Sequence, residues 1–210
     1  MPSIALLGPS GEVLDRIPIS AEGLVVGREA GLLWESDPYL SPAHVHIAIL
    51  PSGRFRVTDQ QSFNGTYHRV VAKEKLDDGA MLRMGKQCLR FSRLMPWSGS
   101  GKKPWAWGAS IGNAWGRLAS VIDPTQEGSA VLLAQPTVRL GRTTGEIRFP
   151  ADEYMSGNHA VIAYQQGQAF IEDVGSRNGT FLRMHEPKTL PAGTLLLVGQ
   201  QRVHLEVSTD

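Results

Sequence analysis

The sequence predicts an all-β protein made of two copies of one sandwich-like unit. Three observations predict it. Short runs with alternating apolar and polar residues occupy both halves of the chain. Clusters of Gly, Pro and Asp interrupt them about every 8–12 residues, the rhythm of a β-sandwich or barrel. A shift of 114 residues superimposes one half on the other, motif by motif.

Taken in order, the first half offers "HVHIAIL" (44–50), "RFRVTDQ" (54–60), "AMLRMG" (80–85) and "QCLRFSRL" (87–94). The second offers "AVLLAQ" (130–135), "TVRLGR" (137–142), "HAVIAYQ" (159–165), "AFIEDV" (169–174), "LLLVG" (195–199) and "RVHLEV" (202–207). Each alternates with the period of a pleated strand, and no stretch carries a helical period of convincing length. The shift of 114 aligns Gly27-Arg28 with Gly141-Arg142, Asp59 with Asp173, and Ser62 with Ser176. It also aligns Asn64-Gly65-Thr66 with Asn178-Gly179-Thr180, and Gly85 with Gly199. Ser41 and His44 meet Ser156 and His159 at a shift of 115, which implies a one-residue indel between the motifs. The repeat predicts two homologous domains, 1–96 and 115–210, joined by a linker at 97–114. Either half is long enough to bury its own core.

The linker is rich in Gly, Ser, Pro and Lys, as a tether would be. It also holds Trp97, Trp105 and Trp107, with Trp115 just beyond it. Rings of that size gain by burial. They are expected either to cover an edge of one domain or to fix the angle between the two.

Composition excludes several classes. With 41% hydrophobic and 20% charged residues the chain is ordinary for a globular protein. A formal net charge of +1 provides no basic field to draw a nucleic acid. Cys88 stands alone, so an internal disulfide and a cysteine zinc site are both excluded. The first residues lack the pattern of a signal peptide, and no apolar run is long enough to span a membrane. The expectation is a cytoplasmic protein without cofactor or metal.

Ser-x-Asn-Gly-Thr, at 62–66 and again at 176–180, has three readings. Asn-Gly between alternating runs is a hairpin signal. Asn-Gly-Thr is also a glycosylation sequon, which needs a secretory route. The third reading is a binding loop. It alone accounts for the Asp three residues before each Ser and for the Gly-Arg and Ser-x-x-His upstream.

"VVGR…SPAH…DQQSFNGT" and "RLGR…SGNH…DVGSRNGT" together resemble the forkhead-associated (FHA) family, and the resemblance covers both halves. It implies tandem β-sandwiches of about eleven strands each, whose end loops bind phosphothreonine peptides. It implies phosphate contacts from Arg142 and Ser156, and from Arg28 and Ser41 in the first copy. It assigns the peptide main chain to Asn178 and Asn64, and a structural role to His159 and His44. Gly27, Gly65 and Thr66, with Gly141, Gly179 and Thr180, complete the structural motif. The partner implied is a Thr-phosphorylated protein or peptide, the substrate of a Ser/Thr kinase.

The chemistry agrees with this. A phosphate monoester carries roughly −1.5 to −2 charges and three acceptor oxygens. Arg supplies a fork of permanently charged donors, and Ser a hydroxyl. In the second copy Gly157 leaves an N–H beside Ser156, and Arg177 adds a cation. In the first copy Pro42 has no N–H, Phe63 replaces the cation, and Glu29 adjoins Arg28. Domain 2 is therefore expected to be the main reader, and domain 1 weakened. The alternative is a phosphate-independent scaffold that uses the same loops or the Trp-rich face.

An enzyme is not expected. Ser41, His44 and Asp59, or Ser156, His159 and Asp173, have the residue types of a triad but no nucleophile elbow. "GSGKKP" lacks phosphate-loop spacing. His44 and His46 share a strand face but lack a third metal ligand.

Overall fold

The computed structural model describes residues 1–30, 36–94 and 111–207. Trp34, Trp97, Trp105 and Trp107, and with them the expectations for the linker's rings, lie outside the described residues.

The described chain is all-β, its one helical element being a 3₁₀ turn at Arg28–Ala30. The first repeat forms β1 (Pro2–Leu7), β2 (Val13–Pro18), β3 (Leu24–Val26), β4 (Val45–Ile49), β5 (Phe55–Asp59), β6 (Thr66–Arg69), β7 (Glu74–Leu76), β8 (Met81–Met84) and β9 (Gln87–Arg93). The second forms β10 (Gly116–Asp123), β11 (Gln126–Leu133), β12 (Thr137–Gly141), β13 (Ile147–Arg148), β14 (Ala160–Gln165), β15 (Gln168–Asp173), β16 (Thr180–Arg183), β17 (Lys188–Leu190), β18 (Leu195–Val198) and β19 (Gln201–Val207). Every alternating run singled out in the sequence lies in or overlaps one of these strands.

The folded units are not the two repeats. Unit 1 consists of Met1–Arg69 with Phe181–Asp210, and unit 2 of Val70–Thr180. The expected boundaries, 1–96 and 115–210, therefore mark the sequence repeat but not the folded bodies. Each repeat gives its C-terminal third to the other's sandwich.

In unit 1 one sheet runs β16-β6-β18-β19-β1-β2 and the other β17-β5-β4-β3, all antiparallel. The exchange is explicit in the register: Thr66 faces Val198, Tyr67 faces Leu197, and His68 faces Leu196. The core joins Ile4, Val45, Ile47 and Phe55 of the first repeat to Met184, Leu196, Val198, Val203 and Leu205 of the second. Each such buried side chain is worth roughly 1.5–3 kcal/mol. The five exchanged ones thus contribute on the order of 10 kcal/mol before chain entropy is counted. That matches the whole net stability of an ordinary domain, about 5–15 kcal/mol.

Unit 2 is built alike. One sheet runs β8-β9-β10-β11, and the other β13-β12-β14-β15-β7, with β12 and β13 parallel. Leu76, Leu82, Leu89 and Phe91 come from the first repeat, and they are as deeply buried as Leu133, Leu140, Ile162 and Ile171 from the second. Trp115 stacks on Tyr164 at 4.6 Å and donates from Nε1 to the Gln135 carbonyl at 3.0 Å. Its ring belongs to this unit's core, 7% exposed. The positions that the 114-residue shift aligns with β13, 33–34, lie outside the described residues.

The Asn-Gly signal for a hairpin is not realised. β5 and β6 lie in different sheets, as do β15 and β16, so each Asn-Gly carries the chain from one sheet to the other. Only the Gly adopts positive φ, 79° at Gly65 and 86° at Gly179, whereas a type I′ hairpin needs two such residues in a row. That turn occurs instead at Gln166-Gly167, φ 50° and 77°, between β14 and β15.

Cleavage at a protease site inserted between residues 95 and 110 should leave the two half-chains bound to each other, since each unit needs both. Size exclusion with mass spectrometry checks this. Halves that separate and each melt at the intact midpoint would show that every repeat completes its own sandwich.

Candidate functional site

The loops after β3, β4's N-terminal approach and the β5–β6 crossing meet at one end of unit 1. Their counterparts meet at one end of unit 2. Two residues fold each end: a half-buried Asp and a buried His.

In unit 2, Asp173 Oδ1 accepts the backbone N–H of Ser176 at 2.8 Å, and Oδ2 accepts the hydroxyls of Ser176 at 2.6 Å and Thr180 at 2.7 Å. Ser176 Oγ in turn accepts the Gly179 N–H at 2.9 Å. This explains the spacing Asp-x-x-Ser-x-Asn-Gly-Thr. One carboxylate holds Ser176 and Thr180, Ser176 in turn holds Gly179, and the two residues between, Arg177 and Asn178, are left exposed and partly exposed. Burial alone would raise the Asp173 carboxyl. The hydrogen bonds from Ser176 and Thr180, with His159 nearby, outweigh it and hold the group below its ordinary value. Asp59 holds Ser62 and Thr66 at matching distances of 2.6 and 2.7 Å.

His159 is fully buried, and its Nδ1 accepts the Ser156 N–H at 3.0 Å. A backbone N–H can only donate, so Nδ1 is unprotonated and the proton sits on Nε2, which donates to the Gly179 carbonyl at 3.2 Å. His44 does the same between Ser41 N–H, 3.1 Å, and the Gly65 carbonyl, 3.0 Å. The imidazole therefore ties the Ser-x-x-His loop to the Asn-Gly-Thr loop. These contacts also dispose of the triad and metal arrangements for this residue. Each His bonds the backbone of Ser rather than its hydroxyl, each Asp bonds Ser and Thr, and both ring nitrogens are occupied.

Gly27 and Gly141 serve close approach. A Cβ on Gly141 would lie 2.1 Å from the Gly157 carbonyl oxygen, and one on Gly27 would lie 2.1 Å from that of Pro42. The Gly lets the strand end press against the Ser loop, and Arg142 N–H bonds the Ser156 carbonyl at 2.8 Å.

Two expected phosphate contacts of unit 2, Arg142 and Arg177, meet a third, Ser156. Its carbonyl takes Arg142 N–H, and its Oγ accepts Arg177 N–H at 3.0 Å. The Ser156 hydroxyl proton is thereby left to donate. Arg142 is half-buried, Arg177 is exposed, and neither forms an ion pair among the described residues. Asn178 Nδ2 donates to the Tyr154 carbonyl at 2.8 Å, so the side chain is fixed and partly exposed. The Gly157 carbonyl takes Thr144 N–H at 3.1 Å and Thr144 Oγ1 at 2.7 Å.

Unit 1 repeats the scaffold with different exposed chemistry. Ser41 Oγ accepts Phe63 N–H at 3.0 Å, and Asn64 Nδ2 donates to the Tyr39 carbonyl at 2.9 Å. Phe63 is 71% exposed, so it does not pack against a neighbouring loop. Arg28 is exposed and forms no ion pair with Glu29 among the described residues; Glu29 instead bonds the Pro42 carbonyl through its N–H at 3.2 Å. Gln61 carries φ 56° where the second copy has Gly175 at 82°, a left-handed conformation that favours glycine.

Sequence reasoning missed Asp37 and Asp152. Both are buried, and each caps the turn leading into its Ser loop. Asp37 Oδ1 accepts Tyr39 N–H at 2.8 Å, and Asp152 Oδ1 accepts Tyr154 N–H at 3.0 Å. Their alignment under the 115-residue shift, two residues before a Tyr in both copies, was the signal available.

Burial lowers the His44 imidazole below its ordinary value, against an opposing hydrogen bond to the Gly65 carbonyl. The unfolded chain therefore binds that proton first on acidification. Unit 1 should keep its full stability above about pH 6.5 and lose it as pH falls through the lowered value. Thermal melts from pH 7.5 to 5 check this. A His44→Gln chain, though less stable throughout, should lose that part of the slope.

The FHA domain family model matches residues 138–199. FhaB, an FHA domain-containing protein of Mycobacterium tuberculosis, is 28% identical over 92 residues, 42% of this chain and 59% of its own length. The oxoglutarate dehydrogenase inhibitor of Corynebacterium efficiens is 33% identical over 117 residues, 54% of this chain and 82% of its own length. Its counterpart in Corynebacterium glutamicum is 31% identical over 109 residues, 50% of this chain and 76% of its own. Among solved structures, the FHA domain of CT664 from Chlamydia trachomatis covers 39% of this chain and 88% of its own, at 24% identity and a TM-score of 0.24. Mycobacterium tuberculosis EmbR, solved in complex with a low affinity phosphopeptide, covers 40% of this chain and 23% of its own, at 23% identity and a TM-score of 0.24. On the identity to the corynebacterial relatives over most of their own length, and on the motif blocks at 138–199, the chain belongs to the FHA domain family.

Proposed function

We propose that this chain is a phosphothreonine-peptide-binding adaptor, not an enzyme, acting in the cytoplasm, and that the end of unit 2 is its main reader. The observation that carries this reading is the state of Ser156. Its oxygen is occupied by Arg177 N–H, its proton is free to donate, and Arg142 beside it has no anionic partner among the described residues. A donor hydroxyl on a serine held by the backbone N–H groups of two arginines, neither of which has an ion-pair partner among the described residues, suits a dianion with three acceptor oxygens. Arg142, Ser156, Gly157 and Arg177 would hold the phosphate, and Asn178 the peptide main chain. The partner is a Thr-phosphorylated segment of another protein.

A second reading applies to unit 1. Phe63, 71% exposed, stands where unit 2 has Arg177, and Pro42 stands where unit 2 has Gly157. Arg28, Ser41 and Asn64 keep their places but have lost a cation and a backbone donor. Contact with a protein surface through Phe63, independent of phosphate, fits this end better.

Both readings are tested on the intact chain, because each unit contains parts of both repeats. Calorimetric titration with a phosphothreonine peptide chosen from a degenerate library should give one strong site per chain. A charge-assisted hydrogen bond is worth roughly 1.5–3 kcal/mol, so Arg142→Ala should weaken that site at least tenfold, while Arg28→Ala leaves it unchanged. Equal affinity for the unphosphorylated peptide would sink the reading.

Phe63→Arg combined with Pro42→Gly should create a second, weaker site in the same titration. If the wild-type chain already shows two sites of equal strength, Phe63 is a specificity contact and not a lost donor.

A further inference from the structure

Each ligand end rests on a turn from the other repeat. In unit 2, Asp152 is 2% exposed, and its Oδ2 accepts the Lys86 N–H at 2.8 Å and Gln87 Nε2 at 2.8 Å. Lys86 lies in the β8–β9 turn of the first repeat, and Gln87 opens β9. In unit 1, Asp37 is 5% exposed, and its Oδ2 accepts the Gln200 N–H at 3.0 Å and Gln201 Nε2 at 2.8 Å, from the β18–β19 turn of the second repeat. The same geometry occurs twice, with the donors exchanged both times. Gly85 and Gly199 start the two turns at φ 56° and 62°. A Cβ on Gly85 would lie 2.7 Å from an Asp152 carboxylate oxygen, and one on Gly199 would lie 3.0 Å from Asp37 Oδ2, so these turns are shaped to receive the carboxylate.

The clamp sits directly beneath the ligand loop. The other oxygen of Asp152 holds Tyr154 N–H at 3.0 Å, and the Tyr154 carbonyl holds Asn178 Nδ2 at 2.8 Å. Two residues further, Ser156 carries the hydroxyl left to donate. A single chain of hydrogen bonds therefore runs from Gln87 through Asp152 and Tyr154 to Asn178. A buried carboxylate that loses a donor leaves part of its hydrogen-bonding capacity unmet, so the loop it anchors should loosen.

We propose that Gln87 of the first repeat is a positioning residue for the unit 2 ligand loop, and that Gln201 of the second repeat does the same for unit 1. Either repeat then depends on the other for the shape of its own binding end. The binding arm of the test rests on the phosphopeptide reading above, whereas the exchange arm does not.

The test uses the intact chain with Gln87→Met and Gln201→Met, which keep side-chain length and remove the amide that donates to the Asp. Amide hydrogen exchange should speed up about fivefold at Tyr154 in Gln87→Met and at Tyr39 in Gln201→Met, in each case sparing the other loop. Exchange at Tyr39 in Gln87→Met would mean that each turn clamps the Asp of its own repeat, and the proposal falls. A uniform rise throughout one unit, or no change, also overturns it, since either removes the local positioning effect. In the second arm, Gln87→Met should bind the library phosphothreonine peptide about fivefold more weakly, and Gln201→Met as tightly as wild type. Unchanged affinity for both variants refutes the positioning role. If wild type binds no phosphopeptide while exchange follows the expected pattern, the clamp stands and the phosphopeptide reading fails.

Discussion

The pairing of Thr66–His68 with Leu196–Val198 decides the rest of the molecule. Once β6 takes β18 as its neighbour, β19 must follow beside β1, and the apolar residues of both strands face the core of the first repeat. The segment this displaces, β7 to β9, then has its apolar face to bury elsewhere. It finds β15 and β10, where the homologous strands of its own family have left a place of the same shape. A sandwich of this size cannot stay closed without those strands, because they contribute burial on the scale of its entire net stability.

The repeat, the strands and the motif residues were legible in the sequence, and the exchange was not. The reason lies in the symmetry that made the repeat visible. Leu82, Met84, Leu89 and Phe91 alternate as Leu196, Val198, Val203 and Leu205 do, at the same distance from the Gly that starts the turn. A period-2 pattern states which face of a strand is buried. It does not state against which of two homologous partners. Every local signal is satisfied equally by the exchanged and the direct pairing, so the choice belongs to the connections and not to the strands.

A similar limit applied at the site. Gly-Arg and Ser-x-x-His were visible as spacings, but what each residue does emerged only from contacts. Gly141 serves a carbonyl pressed against it, not a turn, and the Asn-Gly dipeptide that reads as a hairpin links two sheets. Asp37 and Asp152 escaped notice because nothing local distinguishes a capping carboxylate from a solvated one. Their donors lie more than 60 residues away in sequence, at separations of 163 to 164 and 65 to 66.

The two loop ends separate scaffold from surface chemistry. Seven hydrogen bonds that fold each loop recur in both copies, and no distance differs by more than 0.2 Å. Those bonds involve the Asp, the His, the Ser hydroxyls, the Thr hydroxyl, the Asn amide and the backbone. Arg177 and Phe63 take part only through their N–H groups, so their side chains are free to differ without disturbing the loop. Pro42 and Gly157 both offer a carbonyl to the strand end, and they differ in that Pro42 has no N–H to donate. An end of this kind can therefore exchange a cation for an aromatic ring at little cost in folding. The network keeps the loop in shape through the backbone of these positions, and their side chains can differ without disturbing it.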